Sequence, residues 1–155
     1  MPTFTTVSTN PASPEANFTF VTNLENWPTF TGFGPLPGIR RATANAPLAL
    51  GTRVRVENTD NSVHQEIVTA FEPGRRYAVR MEVVPPASWL MRHIDEELLL
   101  EPVEAGTRVH RRFTTVARSW LTAPVVWFIT FFLLKPAVLK HDAVAAQALA
   151  GSTTG

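Results

Sequence analysis

Two residues in the second half of the chain have the types and spacing for proton chemistry on a small molecule. Glu96 and Arg111 lie on two alternating runs joined by the tight turn Glu104-Ala-Gly106. Pairing Val103 with Gly106 around a two-residue turn puts Leu100 opposite Val109, Leu98 opposite Arg111 and Glu96 opposite Phe113. Leu98, Leu100, Val109 and Phe113 then share one face, interrupted by Glu96 and Arg111 on a diagonal. A carboxylate and a guanidinium on an apolar wall have to pair, because an unpaired buried charge is costly. Such a pair serves as a polar anchor or an acid/base pair for a ligand. It serves equally as a structural ion pair, and a one-residue register slip sends both groups to solvent.

Gln65 and Thr69 fall on the same face as Val63, Ile67 and Phe71 in another alternating run, with His64 and Glu66 on the opposite face. They are placed to hydrogen-bond a ligand, or simply to sit at a wet strand end. The third run, Arg76 to Val84, puts Tyr77, Val79, Met81 and Val83 on one face and Arg80 and Glu82 on the other. Of the four histidines, His64, His93 and His110 fall on the outer face; His93-x-Asp95 is the nearest approach to a metal pair, and a solvated face is the expectation. No metal site and no cofactor is expected. The chain has no cysteine, which excludes thiol catalysis and zinc–thiolate sites. No serine or threonine has a nucleophile-elbow context, and no glycine loop is built to cradle phosphate.

The elements that must position these residues follow from periodicity. Thr3–Ser8 reads as a short strand. Ser13-Pro14-Glu15 is a helix start: a hydroxyl cap, proline in the first turn and an acid at the positive end of the dipole. That helix carries Phe18 and Val21 inward and stops near Asn23; Leu24–Trp27 is a second short turn, and 29–37 is a loop. Strands follow at 39–42, 51–57, 62–71, 76–84, 89–103 and 107–116, separated by short turns. Period-two alternation with such turns means an antiparallel meander with one covered face.

Twenty residues, Trp120 to Leu139, carry a single charge, Lys135, and an Ala-rich stretch follows to Ala150. The length suits a bilayer span. Pro124, Pro136 and Lys135 interrupt it, and removing the helix would leave the meander uncovered. The expectation is therefore a helix over the sheet, capped by Ser119 or Thr122 and kinked or broken near Leu134 by Pro136. A helical wheel puts Val125, Phe128, Phe132, Leu139, Ala143, Ala146 and Ala150 on one stripe, read as core-facing. Trp127, Phe131 and Leu134 lie off it and need a second partner: another copy of the chain, a membrane surface or a protein. Among the other aromatics, Trp27, Phe30, Phe33, Trp89 and Trp120 are either core or pocket mouth.

The 155 residues carry a formal charge of +1, with arginines dispersed rather than clustered, so no nucleic-acid partner is implied. The length suits one domain over residues 1–150, with 151–155 a disordered tail. The opening residues lack the basic head and apolar run of a secretory signal, which makes the cytoplasm the default location.

The order of strand, two short helices, long meander and C-terminal helix resembles the polyketide cyclase/dehydrase and lipid-transfer superfamily, with its START-like helix-grip fold. The matching pieces are Ser13-Pro-Glu-Ala-Asn-Phe18 leading to Asn23-Leu-Glu-Asn-Trp27-Pro28, Leu50-Gly-Thr-Arg-Val54, Val68-Thr-Ala-Phe-Glu-Pro-Gly-Arg-Arg76, and Glu101-Pro-Val-Glu-Ala-Gly-Thr-Arg108. The resemblance implies an α+β fold with a cavity between sheet and long helix that takes hydrophobic or amphipathic small molecules. It transfers no catalytic residue by position. Combined with the face assignments, it makes Tyr77, Met81, Leu98, Phe113, Phe128 and Phe132 the expected apolar wall, and Gln65, Thr69, Glu96 and Arg111 the polar positions. Binding or carriage of a lipid-like or polyketide-like molecule is the leading expectation. A cyclase or dehydratase using Glu96 or Arg111, and a homodimer or membrane-docking module, are the alternatives.

Overall fold

The computed structural model describes residues 1–153, with side chains through Gly151. Seven antiparallel strands form one sheet: β1 (Thr3–Asn10), β2 (Ile39–Thr43), β3 (Arg53–Asn58), β4 (Val63–Glu72), β5 (Arg76–Glu82), β6 (Met91–Val103) and β7 (Gly106–Ala117). Strands β2 to β7 follow one another as a meander, and β1 returns to pair with β7. Helix α1 (Pro14–Thr22) and a 3-10 turn (Leu24–Thr29) precede the meander. A long helix follows it, built of α2 (Ala123–Ile129), one π-helical turn (Thr130–Leu134) and α3 (Lys135–Thr153). The fold is α+β with the meander gripping that helix. Helix α3 runs beyond the expected end at Ala150, so the expected tail is helical through Thr153; Thr154 and Gly155 lie outside the described residues.

The local signals act as their chemistry requires. The Ser13 hydroxyl accepts from Ala16 N–H at 3.1 Å and caps α1. The β6–β7 hairpin has the register that its two-residue turn dictates: Val103 with Gly106, Leu100 with Val109, Leu98 with Arg111, Glu96 with Phe113. Gly106 has φ of 135°, and a Cβ there would lie 2.2 Å from the Asn10 carbonyl oxygen. Asn10 in turn exchanges two side-chain hydrogen bonds with Asn17 of α1, at 2.7 and 3.0 Å, both residues buried. This amide pair fastens α1 to the end of the sheet where the hairpin turns.

Pro136 does not break the long helix. It lacks an N–H, and its ring crowds the carbonyl four residues back. The preceding turn widens instead: Lys135 N–H donates to the Thr130 carbonyl, five residues away. Nor does a side chain cap the N-terminus of α2; the Thr122 hydroxyl bonds back to Ser119.

Two apolar clusters form the core. Phe18, Val68, Tyr77, Val79, Leu98 and Leu100 lie under α1, with Trp27 and Phe71 packed on them. Phe4, Phe113, Leu134 and Val138 lie under the long helix, with Phe30, Met81 and Phe131 beside them. The expected inner stripe of that helix is therefore corrected. Val125, Phe128, Phe132, Leu139 and Ala143 are exposed, and the buried positions are Val126, Thr130, Leu134, Ala137, Val138 and Leu149. The helix is apolar all round over its first half, so hydrophobicity sets no phase there. Leu134 and Phe131, expected to lack partners, belong to the second cluster; Phe131 meets the Phe4 ring at 6.3 Å.

Candidate functional site

Between the sheet and the helices lies a cavity of about 520 Å³. Tyr77, Met81, Glu96, Leu98, Arg111 and Phe113 all line it, each delivered by alternation along β5, β6 and β7. Phe128 and Phe132 are not on its wall, because the helix turns them to solvent; Ile129, Leu133 and Leu134 take that place.

Gln65 and Thr69 are likewise corrected. A β-bulge between Val68 and Ala70 inserts one residue into β4 opposite β5. Phe71 faces inward against Phe18, with ring centroids 5.1 Å apart, but the bulge reverses the alternation before it. His64, Glu66 and Val68 therefore point in, opposite buried Val56 and Val54 of β3 for the first two. Gln65 lies opposite exposed Arg55, and Thr69 is exposed. His64 thus lines the cavity rather than the outer face. Its Nδ1 accepts from Asn58 Nδ2 at 2.9 Å, so its Nε2–H donates to Glu66 Oε1 at 3.0 Å. His93 Nε2 lies 3.4 Å from Asp95 Oδ2, and among the described residues no group of three His, Asp or Glu side chains is placed to hold a metal.

Glu96 and Arg111 meet as the hairpin geometry requires: Arg111 Nε donates to Glu96 Oε1 at 2.6 Å. Helix α3 completes the site with His141 and Asp142. Arg111 Nη1 donates to Asp142 Oδ1 at 2.9 Å and to His141 Nδ1 at 2.8 Å. Asp142 Oδ2 accepts from the Thr6 hydroxyl of β1 at 2.6 Å. The Thr29 hydroxyl gives its proton to the Asn26 carbonyl at 2.6 Å, so it accepts from His141 Nε2–H at 2.8 Å. That leaves Nδ1 with a lone pair facing Arg111. The guanidinium also lies over the Phe113 ring, 5.1 Å from its centroid. Strands β1, β6 and β7, the 3-10 turn and α3 thus converge on one buried cation.

The electrostatics follow from burial and charge. Burial disfavours the ionised Glu96 carboxylate most, Arg111 pulls the other way, and the net direction is a raised pKa. Burial also penalises the Arg111 cation, but Glu96 and Asp142 outweigh it, so the guanidinium is held charged. His141 is pushed down to about 3, by burial first and by Arg111 second. Tyr77 is among the cavity-lining residues, and its Oη is, among the described residues, the buried side-chain polar atom without a hydrogen-bond partner. Burial, then the charges of Glu66 and Glu96, raise its pKa and keep it a phenol donor.

His141 and Asp142 escaped the reading of the sequence, yet a signal was present: an adjacent ionisable pair in an apolar, alanine-rich helix has to find buried partners. His64 and Glu66 carried no such signal, because the bulge leaves no mark in the residue pattern.

The family model described as "Polyketide cyclase / dehydrase and lipid transport" matches residues 1–141. No curated protein matches the chain. Among solved structures, protein MLL2253 from Mesorhizobium loti is 12% identical with a TM-score of 0.72, covering 95% of this chain and 98% of its own. The di-domain ARO/CYC StfQ from the steffimycin biosynthetic pathway is 13% identical with a TM-score of 0.72; this chain is covered over 99% of its length and spans about half, 52%, of that protein. Ara h 8.0201 is 14% identical with a TM-score of 0.62, covering 93% of this chain and 97% of its own. At these identities the likeness establishes the shared fold.

Proposed function

We propose that this chain, which belongs to the polyketide cyclase/dehydrase and lipid transport family, binds a hydrophobic small molecule with one polar end in the cavity between sheet and long helix. The observation that carries this reading is the uneven lining of one cavity of about 520 Å³. Apolar side chains make most of its wall, while Arg111 with its carboxylates and the unpartnered Tyr77 hydroxyl sit together on β5, β6 and β7. Ligand sites combine an apolar surround with a few convergent polar groups in this way. An apolar body fits against Met81, Leu98 and Phe113, and a small turn of the Tyr77 side chain brings its unpartnered hydroxyl to an acceptor on the ligand.

Nile red titration of the purified, delipidated protein tests this reading. Saturable binding is expected, with an Ala145→Trp variant, whose indole projects into the cavity wall, losing most of the affinity. Equal binding by both proteins would overturn it.

A second reading is favoured by Glu96. A carboxyl whose pKa burial raises is better suited to hold and pass on a proton than an exposed one, and it lies beside a fixed cation able to polarise a carbonyl. That combination suits enolisation, cyclisation or dehydration of a bound ketone. Unchanged turnover by Glu96→Gln on a genuine polyketone substrate would remove this mechanism.

A further inference from the structure

The apolar stripe of the long helix faces outward and is a surface in its own right. Trp120 is 82% exposed, and Leu121, Val125, Trp127, Phe128, Phe132 and Leu139 continue the exposed face. The aromatics are pre-assembled: Phe128 stacks on Phe132 at 4.8 Å, and Trp127 lies 6.1 Å from the Phe132 ring and 5.0 Å from that of Phe131. A second segment joins at the start of the helix. Arg118 Nη1 donates to the Ser88 carbonyl at 2.7 Å and Arg118 N–H to the Leu90 carbonyl at 2.8 Å, which holds exposed Trp89 beside this end.

Charge selects the occupant. The two contributing segments, residues 83–94 and 105–141, contain no aspartate or glutamate. After Glu104 the chain has one acid, Asp142, and that side chain is engaged inward by Arg111 and Thr6. Arg118, Lys135 and Lys140 are the charged groups along the helix and its approach that lie outside β7 and the cavity. A two-fold dimer over this face would set these cations against their own copies. An anionic lipid surface complements them, and it receives tryptophan at the headgroup level and aliphatic groups below it.

We propose that the outer face of the long helix, with Trp89, docks this protein on an anionic bilayer surface. The helix Ala123–Gly151 is long and apolar enough to cross a membrane. It lies on the surface instead, because its inner face is fastened to the sheet. Thr115 bonds Thr130 at 2.6 Å, Thr6 and Arg111 bond Asp142, and Thr29 and Arg111 bond His141. Crossing the bilayer would strand these buried polar groups and expose the core. The inference goes beyond the cavity reading and does not depend on it.

Flotation with vesicles of phosphatidylcholine alone, and of phosphatidylcholine mixed with phosphatidylglycerol, tests the proposal on the full chain. At roughly 1 kcal/mol per cation near the surface, capture by the mixed vesicles should be about tenfold or more stronger and should weaken in high salt. Trp120→Ser/Phe128→Ser/Phe132→Ser changes exposed side chains and should retain the circular dichroism and melting of the parent while losing capture. Lys135→Glu/Lys140→Glu should lose the preference for the anionic vesicles. Equal capture by both vesicle types, capture unchanged in the triple variant, or a dimer by light scattering with no capture overturns the proposal.

Discussion

Arg111 and His141 are held with donor facing acceptor: a guanidinium N–H points at the Nδ1 lone pair across 2.8 Å. The contact exists only while the imidazole is neutral, and the Thr29 hydroxyl selects its tautomer from the other side by accepting Nε2–H. A buried cation thus takes two carboxylates and one uncharged ring as partners, with every proton assigned.

The first prediction concerns this cation. Arg111→Met leaves Glu96 and Asp142 without their counter-charge in a buried site. Removing one partner of a buried ionic cluster costs about 3–5 kcal/mol. Urea unfolding should show a loss of that order, part of which returns in Arg111→Met/Glu96→Gln/Asp142→Asn, where no charge is left unpaired.

The second is a pH dependence. The folded-state pKa of His141 is about 3 against about 6.5 when unfolded, so between these values the unfolded chain binds the extra proton. Its contribution to stability is complete above pH about 6.5 and is lost as pH falls towards about 3, by at most about 1.4 kcal/mol per pH unit. Glu96 opposes it. Its pKa is raised on folding, so its contribution is present below the unfolded value and fades as pH rises through the folded one. His141→Gln, whose amide can accept from Arg111 and donate to Thr29, should flatten the acid limb of a stability–pH curve. Glu96→Gln should steepen it.

The third uses the unpartnered phenol. Leaving a buried donor unsatisfied costs about 1–3 kcal/mol. Tyr77→Phe should therefore melt at or above the temperature of the parent when delipidated, and should bind a carbonyl-bearing ligand more weakly. A clear drop in the melting temperature of the ligand-free variant would show that the hydroxyl is already satisfied.

The fourth tests the hairpin. Gly106→Ala places a methyl 2.2 Å from the Asn10 carbonyl oxygen at a backbone angle that side chains avoid. Since backbone lies on both sides, relief requires moving the Asn10–Asn17 lock, and a loss of about 2–4 kcal/mol is expected in thermal or urea unfolding.

How far the sequence could be read depends on what fixed each alternation. On β6 and β7 the two-residue turn sets register directly, so Glu96, Leu98, Arg111 and Phe113 could be placed from residue types alone. On β4 the apolar residues Val63, Ile67 and Phe71 keep one parity across the bulge, and anchoring on Phe71 turned Gln65 and Thr69 inward where His64 and Glu66 belong. On the long helix nearly every position before Pro136 is apolar, so the stripe through Phe128 and Phe132 was recognisable but its side was not. The inward positions Val126, Thr130, Leu134, Val138 and Asp142 recur every four residues, a spacing that a uniform 3.6-residue wheel cannot hold over this distance.

That spacing gives the π turn a meaning beyond accommodating a proline. It works as a phase shifter between two lengths of one rod. Each residue of an α-helix turns the chain by about 100° and advances it about 1.5 Å. Straightening Thr130–Leu134 into regular α-helix with its residue count unchanged would turn everything downstream by most of that angle, carrying His141 and Asp142 away from Arg111 while Val126 stayed in place. Deleting one residue together with the π turn would cancel that rotation, because the wide turn is an α turn that has absorbed one extra residue. Relatives should therefore carry either the π turn or one position fewer between the buried Thr130 and the histidine–aspartate pair.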